Sequence, residues 1–327
     1  MSEIVLGLGA SHSTLMNTHW DEVDHLPEAH HFRAGLAAAR DTLAAAAPDA
    51  VVVVGSNHFR GMFLDLMPAI TVGVGEVLGA GEAGTPGGPL PTDPDLARAL
   101  VDGMVDDGFD PAFSLRLTVD HGITHSLQHL VPGLDVPVVP VVVNMFAPPL
   151  PSLRRCAALG ATIGRVLRSD GLDRRVALIA SGGLSHRLPW PKWFETLSDD
   201  DRFLVEAWLN GRDSWAQYEV RRREIIRAAR PDINADFDTR FLAALERGDL
   251  SHVLAMSDDE LEAEAGNGAH EIRSWIAVQA ALHGPDGPPR ATTAVYAAVG
   301  PWLTGMGVSV LTPAHLPLPA TPLESAP

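Results

Sequence analysis

The chain has a single cysteine, Cys156, among 327 residues, which excludes any disulfide within it and fits a reducing compartment. Positive charge is scarce too. Lys and Arg total 24 against 41 Asp and Glu, a formal charge of −17, and a surface of that sign repels nucleic-acid phosphates and anionic lipid headgroups. No nucleic-acid or membrane partner is expected. Long hydrophobic runs are missing: the most apolar stretch, 136–150, is interrupted by Pro137, Pro140, Pro148 and Pro149 and is too short to span a bilayer. The N-terminus lacks the basic start and apolar segment of a secretory leader, so a cytoplasmic protein is expected. There is no long polar low-complexity tract either, and with 46% hydrophobic and 20% charged residues the chain can bury an ordinary core.

What is present reads as an α/β fold. Short runs rich in Val, Ile and Leu at Ile4–Leu8, Ala50–Val54, Val138–Val143 and Val176–Ala180 lack polar alternation, the habit of parallel strands covered on both faces. Helical stretches lie between them at Arg33–Ala47, Asp95–Asp107 and Leu153–Leu167. Beyond Leu188 the pattern turns helical, over Ser198–Asn210, Trp215–Arg230 and Asp236–Glu246, before two last strands at Ala294–Val299 and Val308–Leu311. The expectation is a single large domain, 1–311, with a mostly parallel central sheet flanked by helices and a helix-rich C-terminal half. A Pro-rich irregular tail follows over 312–327.

The chemistry is carried by where the histidines fall. His12 follows the first strand in Gly9-Ala10-Ser11-His12, His58 the second in Gly55-Ser56-Asn57-His58, and His186 another in Ser181-Gly182-Gly183-Leu184-Ser185-His186. In an open α/β sheet, ligands bind beyond the carboxyl ends of the strands, where these three would converge. His19, His25, His30, His31, His252, His283 and His315 lack that context and are expected in solvent. Gly7-Leu8-Gly9 is a poor dinucleotide fingerprint, because the third glycine of the pattern falls on His12.

Glu271 opens a helix after Gly266-Asn267-Gly268 and lies four residues before Trp275, beside an apolar face where a carboxylate needs a partner. A first-turn glutamate favoured by the helix dipole has the same appearance. Two imidazoles and a carboxylate form the facial triad of non-haem iron(II) oxygenases, which leaves positions open for substrate and dioxygen. A competing zinc reading uses His121, His125 and His129, which one helix would stack on one face. That reading lacks the glutamate that follows the first histidine on a zinc-protease helix, and Gly122 makes a loop equally plausible there.

Five motifs in order, Gly-Ala-Ser-His-Ser at 9–13, Ser-Asn-His at 56–58, Val-Asp-His-Gly at 119–122, Ser-Gly-Gly-Leu-Ser-His at 181–186 and His-Glu-Ile-Arg-Ser-Trp at 270–275, resemble the class III extradiol ring-cleavage dioxygenases. These are relatives of the protocatechuate 4,5-dioxygenase catalytic subunit, and the chain is most similar to their 2,3-dihydroxyphenylpropionate 1,2-dioxygenase branch. The resemblance implies an Fe(2+) cofactor held by His12, His58 and Glu271, with His186 as base and His121 as acid. It also implies a small catechol-type substrate opened with O2, and a homo-oligomer is expected. The sequence departs from that branch at Ile123-Thr124-His125-Ser126, a stretch expected to border the substrate. Arg60, Arg116, Arg187 and Lys192 are candidates to meet a substrate carboxylate. Two other readings are a relative that kept the fold as a binding or signalling protein, and a zinc hydrolase in the same pocket. That all five positions are filled argues against the first.

Overall fold

Successive side chains of a strand point to opposite faces, so an uninterrupted valine run is stable in a sheet only if both faces are covered. The computed structural model describes residues 1–318 and has that arrangement. One sheet contains nine strands: β1 (Glu3–Ala10), β2 (Ala50–Gly55), β3 (Ile70–Ala80), β4 (Gly87–Leu90), β5 (Ala112–Val119), β6 (Val138–Val143), β7 (Arg175–Ser181), β8 (Arg290–Val299) and β9 (Thr304–Thr312). Their order is β4-β3-β6-β2-β7-β1-β9-β8, with β5 paired to β3. The central strands β6, β2, β7 and β1 are mutually parallel. Antiparallel pairs flank them on both sides.

The valines divide between two cores. Val52 and Val54 of β2 face one, together with Leu159 and Ile163 of the helix Leu153–Leu167 and Ile276 of the helix Ile272–Leu282. Val51 and Val53 face the other, under Phe32 and Leu36 of Pro27–Ala46 and Leu127 of His121–Leu130. Burying each such side chain stabilises the fold by roughly 1.5–3 kcal/mol, which makes any other register costly. The expected single α/β domain with a mostly parallel centre is therefore present, although β3, β4 and β5 were not foreseen. The C-terminal half is helix-rich, as expected. Its helices Asp199–Asn210 and Ala216–Arg227 pack over the residues after β2, where Phe59 stacks on Trp208 at 4.3 Å. Of the expected tail, 313–318 contains neither helix nor strand, and 319–327 lies outside the described residues.

Two buried helices must approach closely to bring Glu271 to the sheet. Gly160 of Leu153–Leu167 touches the backbone of Ile272–Leu282, and a Cβ there would fall 1.9 Å from the Ala277 carbonyl oxygen. A Gly→Ala change within a helix ordinarily stabilises by about 1 kcal/mol. At Gly160 the sign should reverse, to a loss of roughly 1–3 kcal/mol, because the added methyl meets backbone that cannot turn aside. Urea denaturation of Gly160→Ala checks this, and a more stable variant would contradict the packing described.

Candidate active site

Parallel neighbours end side by side, so the residues just beyond β1, β2 and β7 meet. His12, His58 and His186 are those residues, and with His121 and Glu271 they line one cavity. Glu271 arrives from the opposite direction, at the junction of the short turn Asn267–Glu271 with the helix Ile272–Leu282. That helix is fastened to the sheet by Trp275, whose indole Nε1 donates to the Gly182 carbonyl at 3.0 Å.

At the floor of the cavity Glu271 Oε1 lies 3.2 Å from His12 Nε2 and 3.3 Å from His58 Nε2. All three residues are buried. The Ser56 hydroxyl donates to Oε1 at 2.5 Å and the Gly183 amide to Oε2 at 2.7 Å. Burial alone would raise the Glu271 pKa, but His12 and His58 hold it well below the usual carboxylate value. For His58 burial opposes the charge, and hydrogen bonds to Asp120 and Glu271 overcome it, raising its pKa to about 9. Two carboxylates thus favour positive charge on the buried wall of this cavity.

The four imidazoles share one device: each is tethered at Nδ1. His12 Nδ1 meets Ser181 Oγ at 3.0 Å, His58 Nδ1 approaches Asp120 Oδ1 at 3.4 Å, His121 Nδ1 meets Glu82 Oε1 at 2.8 Å, and His186 Nδ1 meets the Leu184 carbonyl at 2.9 Å. A carbonyl only accepts, so His186 carries its proton on Nδ1 and presents a bare Nε2. Burial lowers its pKa and keeps it neutral. Gly268 makes room for this ring, since a Cβ there would stand 2.1 Å from Nε2. His12 Nε2 is buried and, although 3.2 Å from Glu271 Oε1, makes no well-directed hydrogen bond, which suits a nitrogen that binds a metal ion. An N, N, O donor set with the second imidazole nitrogens held by neighbours suits a divalent transition metal. His121 stacks on His58 at 3.8 Å, and burial, then His58, lower its pKa well below the ordinary value.

The other sequence expectations divide. His121, His125 and His129 do share one helix, His121–Leu130, but the donor groups brought together among the described residues are His12 with His58 and His121, and Glu82 with Asp120 and His121. Ile123–Ser126 is buried inside that helix and does not line the cavity, so the expectation that it borders the substrate is not met. His25, His30, His31, His252, His283 and His315 are exposed and His19 is half-buried. Arg60 lines the cavity. Arg116, Arg187 and Lys192 are instead paired outside it with Glu76, Asp232 and Asp259.

Asp120, Glu82 and Arg222 were missed as site residues. For Asp120 a signal existed, an aspartate at the N-cap of a helix immediately after a strand. Its carboxylate accepts from the amides of His58 at 2.5 Å, Gly122 at 3.0 Å and Arg60 at 3.3 Å. Burial would raise its pKa, but the hydrogen bond and charge of His58 lower it. The stabilisation it provides is therefore full above about pH 4, the unfolded aspartate value, and is lost as pH falls through the lower folded value. Asp120→Ala should cost at least about 2 kcal/mol, the order of an N-cap plus unpaired buried donors, and weaken metal uptake by freeing His58. Chemical denaturation at pH 7 and metal analysis check both; an unchanged denaturation midpoint would remove the organising role.

The chain is similar to known proteins over most of its length. The chain is 38% identical over 281 residues to a Burkholderia vietnamiensis protein named 2,3-dihydroxyphenylpropionate/2,3-dihydroxicinnamic acid 1,2-dioxygenase, covering 83% of this chain and 86% of that one. It is 36% identical over 282 residues to a Rhodococcus protein of the same name, covering 83% and 87%. The family described as the catalytic LigB subunit of aromatic ring-opening dioxygenase matches residues 6–307. The chain belongs to that family of ring-cleavage dioxygenases.

Proposed function

We propose that this enzyme is an iron(II)-dependent extradiol dioxygenase that opens the ring of a catechol bearing an acidic side chain, incorporating both atoms of O2 into a ring-opened semialdehyde or keto acid. The observation that carries the reading is Glu271 Oε1 at 3.2 and 3.3 Å from the Nε2 atoms of His12 and His58, close to the spacing of about 3 Å between adjacent ligands around one ion with bonds near 2.1 Å. His121 is the rival third ligand, since its donor atom lies within 4.8 Å of those of His12 and His58. Charge favours Glu271. As a ligand its carboxylate would offset part of the charge of a buried dication, which a third neutral imidazole cannot do.

When bound, iron(II) supplies open positions for diol and dioxygen and passes electron density between them. The protein moves the protons. His186 takes the second hydroxyl proton of the catechol at Nε2, which makes the ring electron-rich. His121, held through Nδ1 by Glu82 and kept neutral by burial in the resting site, would act as the acid by returning through Nε2 a proton that it has taken up there as the catechol is deprotonated. The relatives named for 2,3-dihydroxyphenylpropionate support a phenolic acid substrate. The buried lone thiol of Cys156 accords with a cytoplasmic enzyme, and no helix among the described residues is long and apolar enough to cross a membrane.

Ligands and proton carriers should fail differently. His12→Ala, His58→Ala and Glu271→Ala should each abolish the thermal stabilisation that iron(II) gives under anaerobic conditions, about 2.7 kcal/mol at a hundredfold excess over Kd. His186→Phe and His121→Phe should keep that stabilisation while turnover falls by roughly 10²- to 10⁴-fold. Loss of metal in His121→Phe together with retention in Glu271→Ala would exchange their roles and defeat the proposed triad.

A further inference from the structure

The helix Ala216–Arg227 is polar over most of its surface. One stripe turns inward at helical spacing, Trp215, Tyr218, Arg222 and Ile226, and the cation in its middle is the anomaly. Arg222 is 9% exposed, its Nε has no hydrogen-bond partner, and among the described residues no carboxylate forms a salt bridge with it. The nearest acids, Glu219, Glu82 and Asp120, act on it by charge but none reaches it within 4.0 Å, and Glu82 Oε2 is itself buried without a hydrogen-bond partner. Glu219 accepts from Arg60 at 2.8 Å, from Arg223 at 2.5 Å and from the Trp215 indole at 2.7 Å, while Glu82 Oε1 holds His121. Arg60 lies over the Trp215 ring at 3.5 Å, and its Nη1 is also buried without a partner. Both arginines line the cavity that has His12, His58 and Glu271 at its floor, and Leu15, Ile226 and Leu303 provide apolar wall between.

A guanidinium kept from water with no carboxylate in direct contact is costly. In the wall of a ligand cavity, that cost is offset if the ligand brings the anion. We propose that Arg222, with the free edge of Arg60 beside it, receives a carboxylate on the side chain of the catechol and sets the enzyme's preference for acidic over neutral catechols. The assignment rests on the ring-cleavage reading above and adds to it the residue that selects the substituent. The planar fork of arginine binds a carboxylate through two parallel hydrogen bonds, which a lysine cannot do. Glu219 keeps Arg60 and Arg223 in place and leaves Arg222 for the ligand.

The test compares 2,3-dihydroxyphenylpropionate with its methyl ester in the iron-loaded enzyme. The unmodified enzyme should favour the acid by roughly 10- to 100-fold in kcat/KM, mostly through KM, the usual worth of a hydrogen-bonded charge. In Arg222→Met that ratio should fall towards one, and Arg222→Lys should lie between. Binding of 3-phenylpropionate, which has the carboxylate without the diol, should weaken by a similar factor in Arg222→Met when followed by tryptophan fluorescence. A preference that survives Arg222→Met, or activities on acid and ester that fall together with their ratio intact, would overturn the role. If Arg222→Met does not fold, the unmodified enzyme still decides, because equal kcat/KM for acid and ester overturns the role while leaving ring cleavage standing. An enzyme that opens neither compound overturns the ring-cleavage reading, and this role with it.

Discussion

A carboxylate buried between two imidazoles is the constraint on which the rest of this structure depends. Glu271 is 1% exposed, and an ionised group so placed is costly unless fully paired. Its partners come from three directions: His12 after β1, His58 and Ser56 after β2, and the Gly183 amide after β7. Those three strands are contiguous and parallel in the sheet, so their ends deliver the partners to one point. The helix bearing Glu271 completes the site only because it lies directly on the sheet and on the helix Leu153–Leu167.

Around that carboxylate the protein sets the orientation of four imidazoles by one rule. Each gives Nδ1 to a fixed neighbour, respectively a hydroxyl, two carboxylates and a backbone carbonyl, and keeps Nε2 for the cavity. The neighbours differ in charge, and so would the chemistry. The Leu184 carbonyl leaves His186 a neutral ring with a bare Nε2, and Asp120 and Glu271 raise the basicity of His58, whereas Glu82 orients His121 while burial holds its pKa well below the ordinary value. Burial disfavours charge on all of them, and it is overcome at His58, which has two carboxylates beside it.

Much of this was legible in the sequence because burial on both faces leaves an unbroken apolar run. Val51–Val54 and Val138–Val143 announced themselves that way, and the small residues after each strand marked where side chains turn to the crevice. The strands that escaped notice are partly exposed. β3 contains Gly73, Gly75 and Gly79, β5 alternates exposed Phe113 and Leu115 with polar neighbours, and β4 buries only Leu90. Their stability comes from pairing with one another, which no local pattern records. Arg222 was hidden among Arg221 and Arg223, where a run of charge reads as a solvated surface. The clue was its spacing from Trp215, Tyr218 and Ile226, which puts a cation on the buried stripe. Glu82 had no such clue, since a turn after β3 gives no sign that it will close on His121.

The most direct test of the account is the identity of the three protein atoms around iron(II) in the anaerobically loaded enzyme, read by anomalous diffraction at the iron edge. One ion should be bonded to His12 Nε2, His58 Nε2 and Glu271 Oε1 at about 2.1 Å each, with His121 and His186 facing it but not bonded to it. An ion held by His12, His58 and His121, with Glu271 turned away, would contradict the account at its centre.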